Sequence, residues 1–184
     1  EMHPYVILRL IGDEAAEAVA MRMARALGVG IVSLSKYRGE PPPDPSGARP
    51  AWWLWPKKGL CDKLGIPEIT PEIGQVGDRD DSLMYGGIVN VLKELGFLKG
   101  PAIQHPEPNV IGDRWWLTAN QEGIYFPVVT VGQEVTKGTF LGEVRDYFGT
   151  VLQTVEAPDD ATVMNMNIGM PVKKDGFLIW LGQF

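Results

Sequence analysis

The sequence predicts an α/β layer followed by an all-β domain, and three observations lead there. Residues 1–100 alternate apolar runs with segments of helical period. From Val110 onward, short β-type runs alternate with glycine turns and no helical period survives. Between the two styles lies a proline-rich stretch, Pro101 to Pro108.

The first element is Tyr5-Val-Ile-Leu-Arg-Leu-Ile11, apolar enough to be a strand covered on both faces. Asp13 is a suitable N-cap for the helix that follows, with Glu14 and Glu17 favourable near its positive end. Its apolar positions Ala16, Val19, Ala20, Met23, Ala24 and Leu27 recur at three- and four-residue spacing, which predicts one buried face. Gly28 terminates it, and Ile31 to Leu34 returns as a strand, completing a β-α-β unit. Residues 36–58 change character. Glu40 to Gly47 is dominated by proline, and Trp52, Trp53 and Trp55 follow it closely. Such a loop is expected to be pinned to the core by its tryptophans, with the lining of a substrate cleft as the alternative.

Leu60 to Leu64 reads as a short helix, Glu68 to Thr70 as a strand, and Arg79 to Leu95 as a helix closed by Gly96. Leu83, Ile88, Val91, Leu92 and Leu95 are its predicted core positions. Gly86 and Gly87 in its middle cost about 1 kcal/mol each against alanine, so close packing on a neighbour is the expected return. Six strands are then predicted: Arg114–Leu117, Ile124–Val129, Phe140–Val144, Val151–Val155, Ala161–Met166 and Phe177–Leu181.

Bulk properties narrow the function. The 184 residues carry a formal net charge of −6, 45% hydrophobic residues and a mean hydropathy of −0.05. An acidic chain lacks the basic face that phosphate backbones require, so a nucleic-acid partner is not expected. No apolar run approaches the ~20 residues of a membrane span, and no signal peptide is visible. The single cysteine, Cys61, is expected to be a small buried hydrophobe in a reducing, cytoplasmic protein. The chain opens almost at once on the apolar run Tyr5 to Leu10, which suggests a piece of a longer protein.

The chemistry centres on Gly65-Ile-Pro-Glu-Ile-Thr-Pro-Glu-Ile-Gly74. Here a strand delivers Glu72 to its C-terminal end, the edge at which open α/β sheets bind ligands. A carboxylate so placed acts as general base on water once another group activates the electrophile. Otherwise Glu72 is an exposed loop carboxylate.

Ile66 to Gly74, followed by Gly87-Ile-Val-Asn-Val-Leu-Lys-Glu-Leu-Gly-Phe-Leu98, resembles the C-terminal half of the succinylglutamate desuccinylase/aspartoacylase family. Val131-Gly-Gln-Glu-Val-Thr-Lys-Gly138, Leu141-Gly-Glu-Val-Arg-Asp146, Ala157-Pro-Asp-Asp160 and Pro171-Val172 extend the resemblance over nearly the whole chain. It implies a truncated zinc carboxypeptidase-like layer over residues 1–100, a linker at 101–109 and a β barrel-sandwich domain at 110–184. The implied activity is hydrolysis of the amide of a small N-acyl amino acid, with zinc in the intact protein and Glu72 as general base and acid. The family's His-x-x-Glu zinc pair is absent from this chain, so no zinc is expected in it and the chain alone is expected to be inactive. His3, in Glu1-Met2-His3, superficially copies an acidic-x-His zinc segment, but a strand starts directly after it. His105, in Gln-His-Pro-Glu, is expected to be a solvated loop residue.

The β half also resembles biotinyl and lipoyl carriers, through Gly132-x-x-Val135-x-x-Gly138 and the Ala-Pro-Asp-Asp turn. Those carriers need an exposed hairpin lysine, and Arg145-Asp-Tyr-Phe-Gly149 stands in its place. A lid or assembly domain is the expected role, with Tyr125 and Tyr147 as packing residues or as groups at a cleft mouth. The alternative function for the chain is a non-enzymatic β-rich binding or assembly module. A homo-oligomer is expected, because an exposed sheet edge invites pairing.

Overall fold

A computed structural model describes residues 1–36, 64–74 and 81–184. The proline-dominated segment Glu40 to Gly47, Trp52, Trp53, Trp55 and Cys61 lie outside the described residues, as does the short helix at 60–64 apart from Leu64. The chain divides into two compact units: Glu1–Tyr5, Glu72–Leu83 and Asn109–Phe184 form the first, Val6–Pro71 and Met84–Pro108 the second.

The second unit is built on a β-α-β crossover. Strands β1 (Tyr5–Leu10) and β2 (Ile31–Lys36) pair in parallel, with Val6 opposite Val32 and Leu8 opposite Leu34. Helix α1 (Glu14–Leu27) joins them. Asp13, in extended conformation, accepts hydrogen bonds from the Ala15 and Ala16 amides at 3.0 and 3.2 Å, satisfying donors that the first turn leaves free. Glu17 reaches back to accept from the Gly12 amide at 2.8 Å. The buried face of α1 is a ladder of small residues, Ala16, Ala20 and Ala24, ending at Leu27. Val19 and Met23, placed on the same face by their spacing, are half-buried.

Strand β3 (Ile69–Glu72) lies on the other side of β1, giving the order β3-β1-β2. Arg9, near the end of β1, pairs with Glu68 just before β3 at 3.9 Å. Glu72, at the end of β3, bears electrostatically on Tyr5 at the start of β1. The two strands therefore run antiparallel, and the sheet is mixed.

Helix α2 spans Ser82–Glu94. Its buried residues are Gly87, Asn90 and Val91. Gly87 sits so close to the end of α1 that a Cβ there would lie 2.7 Å from the Leu27 carbonyl oxygen. The glycine pair thus divides its work: Gly87 permits the helix contact, whereas a Cβ on Gly86 would meet nothing within 4 Å. Two of the predicted core positions do not hold, since Leu83 and Ile88 are 45% and 47% exposed. The helix rests on the side of its small and polar residues, because only that side admits the close approach to α1.

Residues 101–108 are fastened to this unit. Asn90, 3% exposed, donates to the Ala26 and Ile103 carbonyls at 2.7 and 2.9 Å and accepts from the Ile103 amide at 2.7 Å. Arg25 pairs with Glu107, and the His105 ring lies against Gly28, where a Cβ would come within 2.8 Å of it. This corrects the expectation of a solvated His105: the ring is half-buried on the C-cap of α1. Gly28, at φ +82°, serves both the helix end and this ring.

The first unit is all β in its 109–184 part. After β4 (Asn109–Ile111), strands β5 (Arg114–Thr118), β6 (Gly123–Pro127), β7 (Glu134–Val135), β8 (Phe140–Arg145), β9 (Val151–Glu156), β10 (Ala161–Met166), β11 (Pro171–Val172) and β12 (Phe177–Gly182) form two antiparallel sheets. Their orders are β5-β12-β10-β7 and β11-β6-β8-β9, so neither sheet closes on itself. Tyr125, Leu141, Val144, Val163, Leu178 and Leu181 are fully buried in one core. The glycine-turn motifs lock together: Asp160 accepts from the Lys137 amide at 2.9 Å, and Gly138 donates to the Ala157 carbonyl at 2.8 Å. Residues 2–3 run beside β10, with Met2 bridged to Asn165 and the His3 amide donating to Met164 at 2.7 Å. No helix among the described residues is long and apolar enough to cross a membrane.

Candidate active-site carboxylate and its surroundings

Glu72 is half-buried at the end of β3, within the first unit. The antiparallel course of β3 corrects the route by which the sequence reading placed it. This is the C-terminal edge of β3 but the starting edge of β1, so the rule for parallel sheets does not apply here unmodified. What the position provides is a carboxylate whose charge bears on the buried Tyr5 phenol.

Tyr5 is 7% exposed, and its ring meets the Trp180 ring edge-on, with centroids 4.7 Å apart and planes at 74°. Trp180, 1% exposed, stacks on Trp116 at 5.4 Å with planes 7° apart, and Trp116 leans on Phe177 at 5.3 Å. The Trp180 indole N–H has no hydrogen-bond partner among the described residues. Burial raises the Tyr5 hydroxyl to about 12, the Glu72 negative charge adds to the rise, and the Arg114 guanidinium opposes it. At neutral pH the phenol is therefore neutral, packed edge-on against the Trp180 ring.

Tyr5, Arg114, Trp116 and Trp180 were not singled out as site residues in the sequence. They lie far apart along the chain and carry no motif spacing. Only the adjacency of β1 and β3 and the pairing of β5 with β12 gathers them. Of the two tyrosines proposed for a cleft mouth, Tyr125 is fully buried with its hydroxyl 3.4 Å from the Leu141 carbonyl, so it is a packing residue. Tyr147 is 75% exposed on the β8–β9 hairpin tip beside Phe148. Asp146 holds that tip by accepting from the Phe148 and Thr150 amides, both at 2.8 Å.

His3 is occupied locally. Its Nδ1 is 3.0 Å from the Pro4 carbonyl and its ring lies against Gly132. Among the described residues, no three His, Cys, Asp or Glu side chains gather as a metal centre. A groove of about 560 Å3 runs past Glu134, Thr136, Asp160, Thr162 and Phe184, without Glu72 in its lining. A small cavity under the 101–108 segment holds Arg22, Arg25, Glu94 and His105, and both arginines there are already ion-paired, with Glu94 and Glu107.

No family model and no curated protein sequence matches this chain. Solved structures do, and they define the class of fold: that of succinylglutamate desuccinylase/aspartoacylase proteins. The product-bound ectoine utilization protein EutE (DoeB) of Ruegeria pomeroyi superposes with a TM-score of 0.75 at 19% identity, over 100% of this chain and 54% of its own. A succinylglutamate desuccinylase/aspartoacylase of Rhodobacter sphaeroides gives 0.73 at 18%, over 99% and 54%. An aspartoacylase family protein of Mesorhizobium loti gives 0.69 at 21%, over 100% and 52%. The chain therefore spans about half the length of the structures it matches.

Proposed function

We propose that this chain is the later part of a hydrolase that cleaves the amide bond of a small N-acyl amino acid. The observation that carries the reading is a deacylase fold that runs through the whole chain, α/β and β parts alike. An assembly module needs no such match in the part that bears Glu72, and the deacylase reading is preferred on that ground. The β part would serve as the barrel-sandwich lid or assembly domain of the enzyme.

In this reading Glu72 takes a proton from the attacking water and returns it to the departing amine. The buried, neutral Tyr5 phenol is the group on which the Glu72 charge bears. A zinc ion would be held outside the described residues, as would the groups that recognise the acyl chain. The chain by itself is then a half-site without activity, and cytoplasmic location and self-association remain part of the proposal.

The test is hydrolysis of a panel of N-acetyl and N-succinyl amino acids by the longest polypeptide that its gene encodes, compared with Glu72→Gln. General acid–base catalysis contributes about 10²–10⁴-fold, and the variant is expected to lose that much in kcat with KM little changed. Full activity in Glu72→Gln removes the assignment.

A further inference from the structure

The two antiparallel sheets of the β part end in four edge strands, β5 and β7 in one and β11 and β9 in the other. An edge strand is a template on which another chain can pair. Two of these edges are only two residues long, and an acidic side chain, Glu134, stands on β7 and a proline, Pro171, on β11. Short strands, charges and prolines are the usual means of blunting an edge. The other two, β5 and β9, run for five and six residues. Val151-Leu-Gln-Thr-Val155 in β9 is β-prone, uncharged and free of proline, a composition that adds strands readily. This side of the sandwich needs a different protection.

Glutamine side chains supply it. Arg145 faces Val151 and Val144 faces Gln153, so Leu152 is an extra residue in β9 at a shift of register. Its carbonyl accepts from Gln121 Nε2 at 2.8 Å. The next residue, Gln153, bridges the two sheets. Its Oε1 accepts from the Asn120 amide at 2.8 Å, and its Nε2 donates to the carbonyl of Thr118, the last residue of β5, at 3.2 Å. A carboxamide carries the same C=O and N–H as a peptide group, so Gln153 serves the end of β5 as a neighbouring strand would. The turn it grips is fixed from the other side, because the Ala119 amide donates to Gly176 at 2.9 Å and the Ala119 carbonyl accepts from Asp175 at 2.7 Å. We propose that Gln121 and Gln153 close the β5/β9 side of the sandwich against strand addition, which keeps this domain from pairing edge to edge with a second copy. The shield does not depend on the deacylase chemistry, and any self-association of the chain then uses other surfaces. A tie that merely holds the two sheets together is the rival role for the same glutamines.

The experiment removes both carboxamides without adding a large apolar side chain. Gln121→Ala/Gln153→Ala and each single variant are made in the longest polypeptide that its gene encodes. Sedimentation velocity over a concentration series reads association, and near-ultraviolet circular dichroism reads native packing. The expected result for the double variant is native dichroism with a new association step, at a concentration roughly tenfold or more below any shown by the unsubstituted protein. Thr154→Lys, added to the double variant, puts a charge at an exposed position of β9 and should abolish that step. Association no stronger than that of the unsubstituted protein would overturn the proposal. Association that survives Thr154→Lys would overturn it too, since it would arise elsewhere than at β9. Loss of native dichroism in the single variants would do the same and leave the glutamines as a tie between the sheets.

Discussion

Adjacent glycines in α2 should respond to the same substitution with opposite signs. Gly86→Ala adds a methyl group that meets nothing within 4 Å. It should therefore deliver the helix-propensity gain, about 0.5–1 kcal/mol. Gly87→Ala has the same intrinsic gain available, but its Cβ arrives 2.7 Å from the Leu27 carbonyl oxygen and 2.9 Å from Leu27 Cδ1. The leucine side chain can rotate, whereas the carbonyl belongs to the last turn of α1 and can yield only if the helices separate. Overpacking of this kind costs about 1–3 kcal/mol, so Gly87→Ala should end about 0–2 kcal/mol less stable than wild type. The two variants should then differ by about 1–3 kcal/mol. Urea unfolding followed by circular dichroism reads this as midpoints roughly 0.3–3 M apart, given slopes of about 1–3 kcal/mol per molar. If Gly87→Ala stabilised the chain as much as Gly86→Ala, the α1–α2 contact would be wrong, and the outward orientation of Ile88 with it.

Further predictions test other joints. Asn90→Leu should lower stability by about 2–4 kcal/mol, because two carbonyls and one amide lose their partner. Limited proteolysis should then cut within residues 101–108, which Asn90 fastens. The raised pKa of Tyr5 contributes stability that is complete below the ordinary value of 10 and is lost as pH rises through about 12. Site-specific 13C labelling of Tyr5 should report ionisation near 12, and Glu72→Gln should lower that value while leaving it above 10, since burial is the larger cause. An unchanged titration would separate Glu72 from Tyr5. Asp146, held below its ordinary value of 3.8 chiefly by the Thr150 amide, has the opposite sign. The β8–β9 tip should stay ordered above that pH and loosen only as pH falls through the depressed value, which the chemical shifts of Tyr147 and Phe148 would follow. Loosening already at pH 5 would contradict the amide contacts.

Local signals were enough for most of the elements. Asp13 and Gly28 bracket α1 because capping is settled within a few residues of chain, and the strands after Val110 stand out because alternation and turn glycines repeat at short range. Glu72 could be named from its motif, and its place at a strand end was legible too. The direction of that strand was not. Whether β3 runs with or against β1 depends on pairs such as Arg9 with Glu68, which no local pattern encodes. For the same reason Tyr5 read only as a strand residue and Trp180 only as part of an apolar run, until packing set them edge to face.

The periodicity of α2 marked Leu83, Ile88, Val91, Leu92 and Leu95 as core; Val91 is buried, Leu92 and Leu95 are half-buried, and Leu83 and Ile88 are exposed, because the helix lies on Gly87, Asn90 and Val91. By itself, then, the sequence determined where both long helices and most strands lie, though not the short strands β4, β7 and β11, because propensity, capping and turn chemistry act over a few residues. Only the tertiary structure decided strand direction, the neighbours of Glu72 and the face on which α2 rests. Those depend on close approach between segments distant in the chain, where a missing Cβ or one asparagine's three hydrogen bonds outweighs the hydrophobic pattern.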